Sequence, residues 1–429
     1  MSKILIIGIL IFSFSCIFAD AGELVWKYST GAGSYSSPSV SDQSDTRVYF
    51  GSNSTYVYAL NARTGSFIWR YKTGDSVYSS PYVSDTSDTF VYFGSNDTYF
   101  YILTKGRGRL QWSFKTNGQI WSSPVAKSNA VYFGSSDHSF YALSTVNGTK
   151  LWSYQTGWEV FTSPAINSSC VIFGSYDEYI YALERDSGYL RWKTKLGYLI
   201  FSSPLIYDGM IYVGCDDGNL YFLDEAIGSI KMKYNAGSRI YSTPVQGGGN
   251  IFFGSANGGI YSVGAKTATL NWKYQTGSEV NSSGCVSEDI LYIGGYDGYL
   301  YAIDTVTGSP IWTFNAGSQI FSSPSVAKGN VYFCALDGYI YCVKAGRVGF
   351  NSKKITSRFI PKEEFSVKPN PFKDRLTITS PSDGYIYSIE GRRLGEVRKG
   401  KNEINTKTWL PAVYIVKCGN FSQKIIKIK

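Results

Sequence analysis

The chain has 429 residues, of which 17% are charged and 17% aromatic, with 36 Tyr and 45 Gly. So few charges, with so many Tyr, Phe and Gly, suit short strands joined by tight turns rather than long surface helices. The net charge of +9 does not signal nucleic-acid binding. Of the 41 Lys and Arg, 19 lie from Lys344 onward against 7 of the 32 Asp and Glu, leaving 22 basic and 25 acidic residues before that point. A nucleic-acid binder needs a basic face to replace counterions, and a repeat region with a slight acidic excess is a poor match for that.

The first segment is apolar from Ile4 to Phe18 behind one Lys, and is followed by Ala19-Asp20-Ala21. This pattern predicts a secretory signal peptide over 1–21, with Ala19 and Ala21 at the cleavage site and a mature chain starting near Gly22. The run is too short for a membrane span, so no transmembrane segment is expected in the mature chain. Cys16 opens an alternative, lipoprotein processing, but Ser13-Phe14-Ser15 lacks the aliphatic residue that such a site carries.

Beyond Gly22 the chain repeats. Tryptophan stands at 26, 69, 112, 152, 192, 272 and 312 with Met232 in the remaining slot, at spacings of 43, 43 and then 40 residues. Self-similarity at this period denotes a propeller or solenoid. Each unit holds a serine pair behind an aromatic residue and usually before proline, as in Tyr35-Ser36-Ser37-Pro38. A run such as "VYFGS" follows, then a polar turn, an alternating run such as "YVYAL", a Thr-Gly or Asn-Gly turn, and the strand bearing Trp. Four short antiparallel strands per unit, with Asp-Gly hairpin turns in several, predict propeller blades. Seven units are complete. The eighth lacks its Trp strand, while the strand around Trp26 lacks a blade. Pairing these two orphans closes the ring and removes both edges. The expected fold is all-β: an eight-bladed β-propeller over 22–346.

The serine pairs read as structure. Proline suits the start of a strand, the serines can cap the turn, and the aromatic is expected between blades. A serine nucleophile would need a base, and the single His, His138, lies in a hairpin turn without a partner cluster. The six cysteines after Cys16 form no C-x-x-C pair and read as small buried residues rather than as disulfides or metal ligands.

Ala59, Gly65 and Trp69 stand at the first, seventh and eleventh places of one block. The trio recurs as Ala142, Gly148 and Trp152, as Ala182, Gly188 and Trp192, and as Ala302, Gly308 and Trp312. Altered copies are Ile102-Gly108-Trp112, Phe222-Gly228-Met232 and Ser262-Ala268-Trp272. This resembles the tryptophan-docking motif of pyrroloquinoline quinone (PQQ)-like propeller repeats over about residues 22–348. The resemblance implies that each indole stacks on a glycine peptide of the neighbouring blade. Some members of that family are calcium- and quinone-dependent dehydrogenases; others, including a component of outer-membrane protein assembly, bind proteins and hold no cofactor. This chain has short blades, no adjacent cysteines and no acidic cluster. The expectation is therefore a non-catalytic binding or scaffold module with no cofactor, metal or catalytic residue. The alternatives are a PQQ-dependent dehydrogenase or an outer-membrane assembly lipoprotein.

Positions that vary between units are free of the repeat's structural demand. Five residues before the proline slot, on the loop expected at one mouth of the channel, stand Glu159, Arg239, Glu279 and Gln319 among others. Trp158 and Tyr198, one residue earlier in their units, are the aromatic candidates for an anchor. These six are the expected contacts of an unidentified protein or glycan partner.

After Gly346 the composition changes. Residues 347–364 are polar and basic and read as a linker. Alternation in "RLTIT", "YIYSI" and "VYIVK" then predicts a small β-sandwich over 365–429. Asn370-Pro371-Phe372, the turn at Gly391, the strand bearing Tyr414 and the Lys-rich last strand resemble the C-terminal sorting domain of type IX secretion substrates, though Ala412 stands where a Gly is usual. The resemblance implies the type IX secretion machinery as a partner and a secreted or outer-membrane-surface location. A monomer is expected.

Overall fold

The structure, a computed structural model, describes residues 21–41, 46–83 and 90–347, together with seven strands between 366 and 426. Cys16, Ala19, Asn370, Pro371, Phe372 and Gly391 lie outside the described residues, and of Tyr414 only its place in the strand Val413–Cys418 is described. The chain divides into two compact units, Met1–Gly349 and Phe350–Lys429.

The first unit is an eight-bladed propeller of four-stranded antiparallel sheets. Its first complete blade runs Ser39–Val40, Arg47–Gly51, Tyr56–Asn61 and Phe67–Lys72, innermost strand first. The two middle strands are buried on both faces, which is why they read as nearly continuous Val, Tyr, Phe and Leu rather than as an alternation. Each blade lies between two others, so neither face meets water. Aromatic rings meet across these faces: Phe100 stacks on Phe133 at 4.2 Å and Phe140 on Phe173 at 4.0 Å between ring centroids. The blades approach so closely that a Cβ on Gly94 would lie 2.1 Å from Ile120 of the next unit.

The Trp strands make the joints. Ala142 pairs directly with Trp152 across the sheet, and a bulge follows at Leu143. The Trp152 indole then lies on Gly188 of the next blade, where a Cβ would stand 2.6 Å from the ring, and its Nε1 donates to Arg185 O at 3.0 Å. Gly188 has φ +73°, a region that glycine enters without the steric cost of a side chain. The same seating joins Trp26 to Gly65, Trp69 to Gly108, Trp112 to Gly148, Trp192 to Gly228 and Trp272 to Gly308.

Closure follows the expected pairing. The strand Leu24–Ser29 adds to Tyr339–Lys344, with Trp26 opposite Cys342, and completes the sheet of Asn330–Cys334 and Ser325–Ala327. Trp312, in the blade before, seats on Gly22 and donates to Gly346 O at 2.8 Å. The two ends of the propeller chain therefore share one joint. Cys170, Cys215, Cys334 and Cys342 are free and buried, and Cys285 is half-buried.

The second unit contains a three-stranded sheet, Ser366–Lys368, Arg375–Ser380 and Gly400–Asn405. Its four-stranded partner sheet orders Arg393–Val397, Gly384–Ser388, Val413–Cys418 and Phe421–Ile426. Leu376 and Ile378 from one sheet and Ile386, Val397 and Val416 from the other are buried. That is the two-sheet arrangement of a small β-sandwich.

Candidate binding site in the axial channel

The serine pairs do more than cap turns, and the two members of each pair have different tasks. The first serine fastens blades. Ser36 Oγ accepts from Gly51 N–H at 2.9 Å and donates to Ser79 O of the next blade at 3.1 Å. Ser79 repeats this with Gly94 and Ser122, and Ser202 with Gly214 and Ser242. These serines are fully buried, and each hydroxyl is satisfied on both sides.

The second member faces the axis. Ser37 N–H donates to Ser80 Oγ, Ser80 N–H to Ser123 Oγ, Ser123 N–H to Ser163 Oγ and Ser163 N–H to Ser203 Oγ, all at 2.9–3.0 Å. Thr243 N–H likewise donates to Ser283 Oγ, and Ser323 N–H to Ser37 Oγ, both at 2.8 Å. A hydroxyl has one donor and two acceptor sites. Each of these six linked oxygens spends one acceptor site on the neighbouring amide and keeps its proton and its second acceptor site, so the waist of the channel is lined by hydroxyls able to donate and to accept.

On the mouth side of this waist stands an aromatic collar formed by the residues that precede the serine pairs. They line the channel and meet one another around it, rather than lying within the blade stack. Ring centroids are 4.9 Å apart for Tyr35 and Tyr78, 5.2 Å for Tyr78 and Trp121, and 4.7 Å for Trp121 and Phe161. Phe201 meets Tyr241 at 5.2 Å, and Phe321 meets Tyr35 at 5.2 Å across the closure. The one non-aromatic member is Asn281. It is 6% exposed; its Nδ2 donates to Glu279 Oε2 at 3.0 Å, which orients the amide, and its Oδ1 has no hydrogen-bond partner.

Collar and waist enclose a cavity of about 500 Å³, and every side chain lining it is uncharged. A second cavity of about 460 Å³ lies beyond the waist, against the proline-led strands, and shares Ser37, Ser80 and Ser123 with the first.

The loops that enter the collar carry the candidates picked from the repeat. Their carbonyls serve the fold: Glu159 O accepts from Tyr176 N–H, Arg239 O from Ala256 N–H, Glu279 O from Tyr296 N–H and Gln319 O from Leu336 N–H. With the backbone so engaged, the side chains are free to differ. Trp158 is 55% exposed and stacks beside His138 at 6.4 Å, and Tyr198 is 52% exposed. Arg239 lies over the Tyr241 ring at 5.3 Å. Arg239 and Gln319 are exposed, Glu159 and Glu279 half-buried. Near Arg239, Asp216 has one buried carboxylate oxygen without a partner. Burial pushes its pKa up to about 6, against the pull of Arg239 and Tyr241. The collar and waist were not among the candidates; the repeated aromatic-Ser-Ser signal that marks them was present but read as scaffold.

Among the described residues no group of three or more His, Cys, Asp or Glu is placed to hold a metal ion, and no helix is long and apolar enough to cross a membrane.

Two family models match. One, described as "Beta-alanine-activating enzyme, beta-propeller", covers residues 1–247. The other, "Outer membrane protein assembly factor BamB", covers 231–314 and 283–349. No curated protein matches the chain. Among solved structures, BamB from Moraxella catarrhalis superposes with a TM-score of 0.66 at 16% identity, over 75% of this chain and 99% of that one. The computationally designed Ika8 protein gives 0.66 at 16% identity over 76% and 100%. A europium-containing methanol dehydrogenase gives 0.63 at 14% identity over 76% and 85%. The PQQ-like propeller fold is thus shared with an assembly factor, a designed protein and an enzyme, and the fold by itself selects no activity.

Proposed function

The chain belongs to the β-propeller family described as "Beta-alanine-activating enzyme, beta-propeller", and from that premise we propose that it is a non-catalytic binding module that works outside the cell or on the outer-membrane surface. The observation that carries this reading is the axial cavity, whose lining is wholly uncharged. Acid–base or nucleophilic catalysis needs a titratable group within reach of the bound molecule. This lining presents hydroxyls, phenols, amides and aromatic rings and no carboxylate, imidazole or ammonium, a set that suits holding a ligand by hydrogen bonds and stacking.

The quinone and calcium of the dehydrogenase branch do not fit these residues. An anionic quinone calls for cationic partners, and calcium for six to eight oxygen ligands with carboxylates among them to balance its charge. The cavity wall supplies neither, and the adjacent cysteines of those enzymes are missing from the sequence.

The export route proposed with this function uses residues 1–21 as a signal peptide and about 365–429 as a type IX sorting domain, with 347–364 as the linker. Trp158 and Tyr198, exposed at the mouth, support a partner presented from outside. The test is the intact mass of the native protein from culture medium and from outer-membrane fractions. A chain starting near Gly22 and recovered from the medium or cell surface supports the reading. A chain starting at a lipidated Cys16 and facing the periplasm overturns it and favours an assembly role like that named for BamB.

A further inference from the structure

We propose that the axial cavity is a saccharide site, which takes the end of a neutral oligosaccharide; this names the ligand of the binding module proposed above and rests on that reading. Three features on the wall converge. The collar supplies aromatic rings, whose electron-rich faces attract the C–H-bearing face of a pyranose. The waist supplies hydroxyls that each accept once from the neighbouring blade's amide and retain a proton and a second acceptor site, so they match a ligand whose own groups both donate and accept. At Asn281 the collar is interrupted by a 94% buried amide whose Oδ1 lacks a donor, and a ligand O–H or N–H would supply it.

A molecule with apolar faces and both donors and acceptors meets all three demands, and a sugar is such a molecule. Charged alternatives do not. A phosphate, or a peptide's terminal carboxylate or ammonium, would enter a cavity whose lining side chains are all uncharged, the charges beside it being Arg239 over the Tyr241 ring and Glu279, already bonded to Asn281, so its desolvation would be poorly offset. The volume of about 500 Å³ lies within the range of roughly 300–1,000 Å³ usual for small-ligand pockets. Glycoside cleavage takes a pair of carboxylic side chains flanking the bond. None lines this cavity, so the sugar is held intact.

The asymmetry of the collar sets the specificity. Seven of the eight positions are aromatic and nearly equivalent; Asn281 is the one position that distinguishes a rotational orientation of the bound ring. The residue after its serine pair, Gly284, also departs from proline.

The test is calorimetric titration of the purified full-length chain with cellotriose, maltotriose and chitotriose, and separately with a tetrapeptide bearing free termini. The expected result is saturable binding of at least one trisaccharide, none of the peptide, and a weakening of tenfold or more in Trp121→Ala. Asn281→Phe, which completes the aromatic collar, serves as the second variant. It is expected to weaken binding tenfold or more while the thermal unfolding midpoint stays near that of the wild type. Binding that survives Trp121→Ala and Asn281→Phe in folded protein places the sugar elsewhere and overturns the proposal. So does the absence of trisaccharide binding, or binding of the peptide alone. The titration uses isolated protein, so it can fail while the mass measurement upholds export, and the converse holds equally.

Discussion

Met232 and Ala268 pack into one cluster at the one blade joint where both the Trp and its glycine are replaced. Elsewhere the indole lies on a glycine; here a flexible thioether takes the slot and the turn residue carries a methyl group at φ +53°. The two replacements fit each other. Met232→Trp alone is expected to destabilise by about 1–3 kcal/mol, since the indole meets the Ala268 Cβ. Ala268→Gly alone is expected to be near neutral, because relief at positive φ offsets added chain entropy. The double variant should recover at least ~1 kcal/mol beyond additivity in urea unfolding. Simple additivity would mean that the joint is not formed by this pair.

Trp152 and Trp192 occupy equivalent slots with different hydrogen bonding. Trp152 Nε1 donates to Arg185 O at 3.0 Å, whereas Trp192 Nε1 is buried without a partner. Phenylalanine at 152 loses one bond to the Arg185 carbonyl, which keeps the Tyr132 hydroxyl as a donor at 3.2 Å, while at 192 it removes a donor that had no partner. Trp152→Phe is therefore expected to cost about 1 kcal/mol more than Trp192→Phe, read from paired denaturation midpoints.

Asp216 makes stability depend on pH in a stated direction. Its folded pKa, raised by burial to about 6 from an ordinary 3.8, means that the folded state holds the proton more tightly. The stabilisation is complete below pH 3.8 and is lost as pH rises through 6. Asp216→Asn should consequently be more stable than the wild type at pH 7, by about 1 kcal/mol after allowance for partial solvent screening. The difference between the two proteins should vanish near pH 3.5. A constant offset at all pH values would exclude titration of this carboxyl as the cause.

The thiols should be silent in the native protein. Burial pushes Cys215, Cys334 and Cys342 up to about 12, so the thiolate is scarce at pH 8. Iodoacetamide is expected to label these three at least tenfold more slowly in buffer than in denaturant, followed by peptide mass. Rapid labelling of Cys334 in folded protein would contradict its burial.

The blade count was legible because a single blade cannot bury its own faces, so the Trp spacing and the orphan strands at 26 and 322–343 had to be read as a ring. The joints were legible through Ala, Gly and Trp at fixed offsets. The serines were not, for a physical reason. Ser36 and Ser37 find their partners in Ser79 and Ser80, one whole blade away, and local turn chemistry describes the same residues adequately without that bond. The collar was hidden likewise: Trp121 beside a serine pair looks like filler until eight blades bring its neighbours round one axis. Asn281 could be seen in the sequence as the odd copy, "NSSG", but what it interrupts could not.

The strand Leu24–Ser29 is made first and finds its place last, beside Tyr339–Lys344. Until the final blade has been synthesised, the growing chain is an open arc with a bare sheet edge at each end. Trp26 then has no sheet, and Trp312 no Gly22. Completion is therefore the contact of highest sequence separation in the propeller, joining residues about three hundred positions apart. A chain that stops within its last blade leaves those edges free to pair with other chains. Closure thus tests whether the propeller is complete to Lys344, and a chain that stops within the last blade cannot form the joint that makes the ring.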